Sequence, residues 1–197
     1  MSKFHIYTDG SARFNPGPGG WGTIVLTEDE MKLVLVESDT DNPTTNNRME
    51  LKAILCALQL AADYPEHYFI IHSDSAYAVN SCTQWMSGWA RNGWRNSKKQ
   101  TVENVDLMKA LWEYLSRPFF NAEIRKCDGH AGVTGNELAD AAATGNWERF
   151  ENLLEAWDIS TERNYDDMSL DEAIAWMKAE IELGKLEKSG DNWFPID

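Results

Sequence analysis

The sequence predicts an α/β fold: a five-stranded mixed sheet flanked by helices, with a helical extension at the C-terminus. Three observations carry the prediction. Short aromatic and aliphatic runs bounded by turn residues are interspersed with stretches whose apolar positions recur every three or four residues. The runs come as three in succession and then singly between helices, in the order βββαβα…αβα, which fits a mixed sheet with helices on its faces. The chain changes character after Gly145, so the 197 residues divide into a domain over 1–145 and an acidic extension over 146–197.

Phe4-His5-Ile6-Tyr7-Thr8 reads as a strand ending in a turn at Asp9-Gly10, and Asn15-Pro16-Gly17-Pro18-Gly19-Gly20 is a turn by composition. Strands over Trp21–Thr27 and Lys32–Val36, joined by Glu28-Asp29-Glu30, complete an antiparallel meander. The Thr/Asn-rich stretch 41–47 offers several N-cap residues to a helix. Its apolar positions are Met49, Ala53, Ile54, Ala57, Leu58 and Ala61, and it stops before Pro65. Tyr68–His72 is apolar on both faces, as a strand covered on both sides requires, and it runs into Ser73-Asp74-Ser75 and another helix. Helical spacing resumes over Thr101–Leu115, a fifth strand spans Ala122–Cys127, and Thr134-Gly135-Asn136-Glu137 has the spacing of a capping box. In the extension, Trp147, Phe150, Leu153, Leu154 and Trp157 form one helical stripe. A second capping box, Ser169-Leu170-Asp171-Glu172, precedes Ile174, Met177 and Ile181.

The charge balance is 18 Lys and Arg against 32 Asp and Glu, which argues against a protein that coats nucleic acid indiscriminately. Residues 1–145 carry 13 basic and 18 acidic groups and residues 146–197 carry 5 and 14, so the extension holds most of the excess. Between Asp74 and Glu103 there is no acidic residue, whereas Arg91, Arg95, Lys98 and Lys99 all fall there, making that interval the evident anion-facing patch. No basic-then-apolar leader opens the chain and no apolar run nears the roughly 18 residues of a membrane span, so the expectation is a cytoplasmic protein without a membrane partner. Cys56, Cys82 and Cys127 match no zinc spacing and read as reduced thiols, mostly packed inside.

Cleaving a phosphodiester requires neutralising the charge that develops on the phosphorus oxygens and making water a nucleophile near neutral pH. Two Mg²⁺ ions about 4 Å apart do both. Such hard ions take oxygen ligands and are held by a few carboxylates on rigid element ends. Asp9, Glu50, Asp74 and Asp140 meet that description, each beside small residues or at the end of an element.

At these residues the chain resembles a family. Thr8-Asp9-Gly10-Ser11 with Asn15-Pro16-Gly17-Pro18-Gly19-Gly20-Trp21-Gly22, then Thr45-Asn46-Asn47-Arg48-Met49-Glu50-Leu51, then Ser73-Asp74-Ser75, then Gly129-His130-Ala131-Gly132 and Asn136-Glu137-Leu138-Ala139-Asp140 are similar to the successive motifs of type 1 ribonuclease H. The resemblance covers about residues 3–145, and five motifs in order are far more specific than any one alone.

The resemblance implies a ribonuclease H-like fold and an endonuclease that hydrolyses the RNA strand of RNA–DNA hybrids, leaving 5′-phosphate and 3′-hydroxyl ends. It implies two Mg²⁺ ions, with Mn²⁺ as a substitute, held by Asp9, Glu50, Asp74 and Asp140. Asp9 would bridge the pair, Asp140 would share the ion of the attacking water, and Glu50 and Asp74 would hold the ion facing the leaving 3′ oxygen. His130 would assist proton movement or product release. Asn15, Asn46 and Asn47 resemble contacts to 2′-hydroxyls and bases in the minor groove of the hybrid. Thr45 and Asn104 resemble a pocket for a DNA phosphate. Trp85–Lys99, with Trp85, Trp89, Arg91, Arg95, Lys98 and Lys99, resembles the family's basic protrusion, here lean in charge and followed by Glu103. Fewer phosphate contacts imply weaker hybrid binding with a shallower salt dependence.

Each feature also has a plainer reading. One Asp after a strand is ordinarily a turn or cap residue, Glu50 near a helix start complements the helix dipole, and a lone loop His is ordinarily a surface residue. Trp85, Trp89 and Trp94 read as core residues of a helical hairpin with the basic groups outside. The apolar stripes of 146–197 suggest docking or self-association, against simple packing on the domain, autoinhibition of the basic protrusion, or solubility in a salty environment.

Overall fold

The computed structural model describes residues 2–129, 132–159, 186–189 and 192–195. Strands β1 (Lys3–Ala12), β2 (Gly17–Thr27), β3 (Leu33–Thr44), β4 (Tyr68–Ser73) and β5 (Ala122–Lys126) form one sheet in the order β3-β2-β1-β4-β5. The first three are an antiparallel meander, and β4 and β5 extend the sheet parallel to β1. Parallel neighbours need long crossovers. Helix α1 (Asn46–Asp63) leads into β4, and a helical segment followed by α4 (Val105–Leu115) leads into β5. That segment comprises α2 (Ala76–Asn80), a π turn (Ser81–Trp85) and α3 (Met86–Arg91). Helices α5 (Thr134–Ala143) and α6 (Trp147–Ala156) follow β5.

The core lies on both faces of the sheet. Phe69, Ile70 and Ile71 of β4 are all buried, as expected of an apolar strand between helical layers. Helix α1 starts where the Thr/Asn-rich stretch ends: the Thr45 hydroxyl accepts the Arg48 N–H at 3.3 Å. Met49, Leu51, Ala53, Ile54, Ala57, Leu58 and Ala61 are its buried apolar side.

Several boundaries differ from the sequence reading. β1 does not turn at Asp9-Gly10 but continues to Ala12, and residues 17–20, turn-like by composition, open β2. The glycines are there because backbone passes close by. A Cβ on Gly10 would lie 2.1 Å from the Glu50 N, and one on Gly20 would lie 2.6 Å from the Ala143 O. β3 likewise extends well past Val36, pairing Asp39 with Trp21 and Asp41 with Gly19. Thr134 does not cap α5: Val133 holds the N-cap position without a side-chain bond, and the Glu137 side chain takes Arg149 instead.

The apolar stripe of α6 packs on the domain. Phe150 and Leu154 are buried in one cluster with Tyr7, Ile24, Leu26, Leu138 and Ala142, and Trp147 and Leu153 lie against it. One compact unit therefore spans Met1–Ser160, taking in α6. In the second unit, Thr161–Asp197, β6 (Leu186–Ser189) and β7 (Asn192–Pro195) form an antiparallel hairpin. The helix expected near 169–181 lies outside the described residues. The hairpin was not anticipated, although Gly190-Asp191 between two short runs is a two-residue turn signal. Among the described residues, no helix is long and apolar enough to cross a membrane.

Candidate active site

Asp9, Glu50 and Asp74 come from β1, the first turns of α1 and the residue after β4, and each offers an oxygen within 4.8 Å of the others. Their convergence follows from the sheet order. β1 lies centrally and pairs with β4 up to Thr8↔Ser73, so Asp9 on β1 and Asp74 just past the end of β4 stand at the same level. The absent side chain of Gly10 then lets the α1 backbone at Met49 and Glu50 press directly on β1.

Asp9 and Glu50 are both buried. The Gly10 N–H donates to the Asp9 Oδ1 at 2.7 Å, whereas the Glu50 Oε2 is buried with no hydrogen-bond partner. Burial first, and then the charges of Asp9 and Asp74, push the Glu50 carboxyl far above the ordinary carboxylate range. Such crowding of acids is costly for the protein by itself and suits a divalent cation, which takes oxygen donors and offsets the repulsion.

Asp74 is oriented by a residue that sequence reasoning left without a role. The buried Asn136 of α5 donates its Nδ2 to the Asp74 Oδ2 at 3.3 Å, and the Cys127 Sγ lies 3.5 Å from its Oδ1. Gly129 closes over the same carboxylate: a Cβ there would sit 2.3 Å from the Asp74 Oδ2. His130 lies outside the described residues.

Asp140 arrives from a different direction. Gly22 pairs with Asp9, and a Cβ on Gly22 would lie 2.6 Å from the Ala139 O, so α5 crosses the sheet at Asp9 itself. Asp140 is outside the cluster of three, and its Oδ2 accepts from the Arg149 guanidinium, which also binds Glu137. Sequence reasoning missed Arg149 because it lies in the extension, on a different helix from its partners.

The expected substrate contacts are spread over three places. Asn15 is exposed on the loop after β1, and Asn47 is partly buried in the first turn of α1. Asn46 spends its Oδ1 on the Ala12 N–H at 2.6 Å, which ties the end of β1 to the start of α1. Thr45 and Asn104 are joined through Arg48. Its backbone N–H goes to Thr45, and its side chain reaches Asn104 at 3.3 Å and both oxygens of Asp106 at 3.0 and 2.7 Å. Arg48, also unassigned from sequence, is thus the cation of this pocket.

The basic interval is a helix and a pinned loop, not the expected helical hairpin. Arg95 pairs with Thr101 in a bridge, the Asn96 Oδ1 accepts the Lys98 and Gln100 N–H groups, and Arg95 donates to the Lys99 O at 2.7 Å. Arg91, Arg95, Lys98 and Lys99 are exposed. The core reading fails for Trp85, which is 41% exposed with its ring 5.7 Å from that of Trp89. The short α3 presents one inward position, taken by Met86.

Comparison with known proteins places the chain in a family. The family model for RNase H matches residues 1–148. The chain is 46% identical over 157 residues to the Ribonuclease H of Jannaschia sp. (strain CCS1), a match covering 77% of this chain and 95% of the relative. Among solved structures it is similar to LC9-RNase H1, described as a type 1 RNase H with the type 2 active-site motif. The TM-score is 0.64 at 24% identity, over 82% of this chain and 87% of the other. It is also similar to the RNase H domain of PFV, with a TM-score of 0.63 and 26% identity over 74% and 94%. The acids that the sheet draws together lie within the stretch that the family model matches, and the chain belongs to the ribonuclease H family.

Proposed function

We propose that this ribonuclease H cuts the RNA strand of RNA–DNA hybrids by two-metal-ion catalysis, leaving 5′-phosphate and 3′-hydroxyl ends. Asp9, Glu50, Asp74 and Asp140 hold two Mg²⁺ ions, with Mn²⁺ as a substitute. The observation that carries the proposal is the cluster of Asp9, Glu50 and Asp74 within 4.8 Å, with the buried Glu50 Oε2 unpartnered. Those residues fit hard divalent ions, which when bound supply Lewis acidity toward phosphate oxygens and lower the pKa of water.

The chain's own groups do the positioning. Asn136 fixes the rotation of the Asp74 carboxylate, and Gly10 sets the separation of Asp9 from Glu50. Asn15, Asn46 and Asn47 read the minor groove. Asn46, its Oδ1 held by Ala12, addresses a substrate acceptor through its amide N–H groups. Thr45, Arg48 and Asn104 grip a DNA phosphate, for which Arg48 must loosen its hold on Asp106. The exposed Arg91, Arg95, Lys98 and Lys99, beside Trp85 and Trp89, straddle the DNA strand. His130 moves protons or helps product leave.

The test is digestion of a labelled RNA–DNA hybrid beside RNA–RNA and DNA–DNA duplexes, with Mg²⁺ and with EDTA. Cleavage of the hybrid RNA alone, abolished by EDTA and by Asp9→Asn, is expected. An intact hybrid, or equal cleavage of the DNA duplex, would overturn the proposal.

A further inference from the structure

Asp140 already carries a cation, and it comes from the extension. α5 ends at Ala143, and the chain reverses through Gly145, whose φ of +66° is open to glycine, before α6 begins. The Asn146 side chain accepts the Arg149 N–H at 3.1 Å, which fixes Arg149 in the first turn of α6. Phe150 and Leu154 anchor that helix in the core. From there the Arg149 guanidinium forks onto two carboxylates three residues apart on one face of α5. One nitrogen goes to the Asp140 Oδ2 and another to the Glu137 Oε2. The two acid side chains are mostly buried, so the pairing is less weakened by solvent than a surface ion pair.

We infer that Arg149 is a positioning residue that competes with the divalent ion for Asp140, so that the extension sets the metal concentration at which the site fills. The inference rests on the four-carboxylate reading above. Arg149 occupies the Asp140 Oδ2 and places its positive charge on that carboxylate, so a divalent ion binds at Asp140 against the repulsion of the guanidinium and more tightly when Arg149 gives way. Glu137 makes the exchange local: the guanidinium released from Asp140 keeps its second anchor. Two anions for one cation leave Arg149 paired in either arrangement.

The experiment is calorimetric titration of the full chain with Mg²⁺ in the absence of nucleic acid, with thermal unfolding in EDTA and in Mg²⁺ as a second readout. Arg149→Ala and Arg149→Gln should each lower the half-saturating Mg²⁺ concentration by about fivefold or more. Both should also enlarge the Mg²⁺-induced rise in Tm, with Arg149→Lys in between. In an Asp140→Asn background, Arg149→Ala should change the titration no further. If wild type and Arg149→Ala saturate at the same concentration, or the variant binds more weakly, the inference is overturned while the metal site stands. If wild-type protein binds no Mg²⁺, both fall together.

Discussion

Gly10→Ala is the sharpest perturbation of the site that leaves every candidate catalytic group chemically intact. Its Cβ would lie 2.1 Å from the Glu50 N and 2.3 Å from the Met49 C, both backbone atoms of α1 that no rotamer change can move. To reach an ordinary contact of 3.4 Å, α1 and β1 must part by about 1.3 Å. Overpacking of this kind costs about 3 kcal/mol, which for a unit of this size lowers Tm by about 6–12 °C. The catalytic loss should be disproportionate. The same displacement opens the Asp9–Glu50 distance, and a misplacement of about 1 Å costs on the order of 10²-fold in rate. The assay pairs thermal unfolding with kcat on an RNA–DNA hybrid, measured well below the variant's Tm. A loss of kcat that persists where the variant is fully folded is expected. Wild-type Tm and kcat together would refute the close-approach argument. Gly88→Ala serves as the stability control: nothing lies within 4 Å of its Cβ position, and the substitution should raise Tm by about 1–4 °C.

Asp9→Asn should reduce hybrid cleavage at least about 10²-fold while raising or preserving Tm in EDTA, because it removes a charge from the crowded cluster of three carboxyl groups; an active variant would contradict this. Phe150→Ala should cost about 3–5 kcal/mol, and truncation after Gly145 should destabilise more than truncation after Ser160, both read from denaturant midpoints; equal midpoints for the two truncations would mean that α6 contributes nothing. Replacing Lys98 and Lys99 together by Ala should flatten the salt dependence of hybrid binding by one to two in slope, about one per lost phosphate contact, and an unchanged slope would remove the loop from the interface. The hydrogen bond from Arg48 holds the Asp106 carboxyl below its ordinary value, so its contribution is present above about pH 4 and lost as pH falls through the folded value. That contribution is about 0.5 kcal/mol at this exposed position, and Asp106→Asn should flatten the acid limb of the pH–Tm curve accordingly.

The elements were legible where the chain obeys one periodicity. β4 and α1 are apolar on the faces they bury, and Thr45 caps α1 from within the predicted stretch. The readings failed where a residue answers to a distant neighbour. Gly17, Gly19 and Gly20 look like a turn in isolation and are strand: Phe14 crowds Gly17, β1 and Thr44 crowd Gly19, and α5 and β3 crowd Gly20. Thr134 has capping-box spacing, but its partner Glu137 is drawn to Arg149. The site followed the same division. Asp9, Glu50 and Asp74 stood out through local motifs, whereas Asn136, Arg48 and Arg149 act across elements, and no sequence spacing announces a side chain that reaches another helix. Trp85 shows the limit of composition: it ends the π turn just before α3, the next residue, Met86, takes the inward position, and even a tryptophan is left outside.

The proposed cleavage depends on four carboxylates from four separate segments sharing a pair of cations. Anomalous diffraction from crystals of the protein soaked in Mn²⁺ tests that arrangement directly. Two peaks about 4 Å apart are expected, bounded by Asp9, Glu50, Asp74 and Asp140, with the Arg149 guanidinium withdrawn from Asp140. Peaks elsewhere, or none between Asp9 and Glu50, would contradict it.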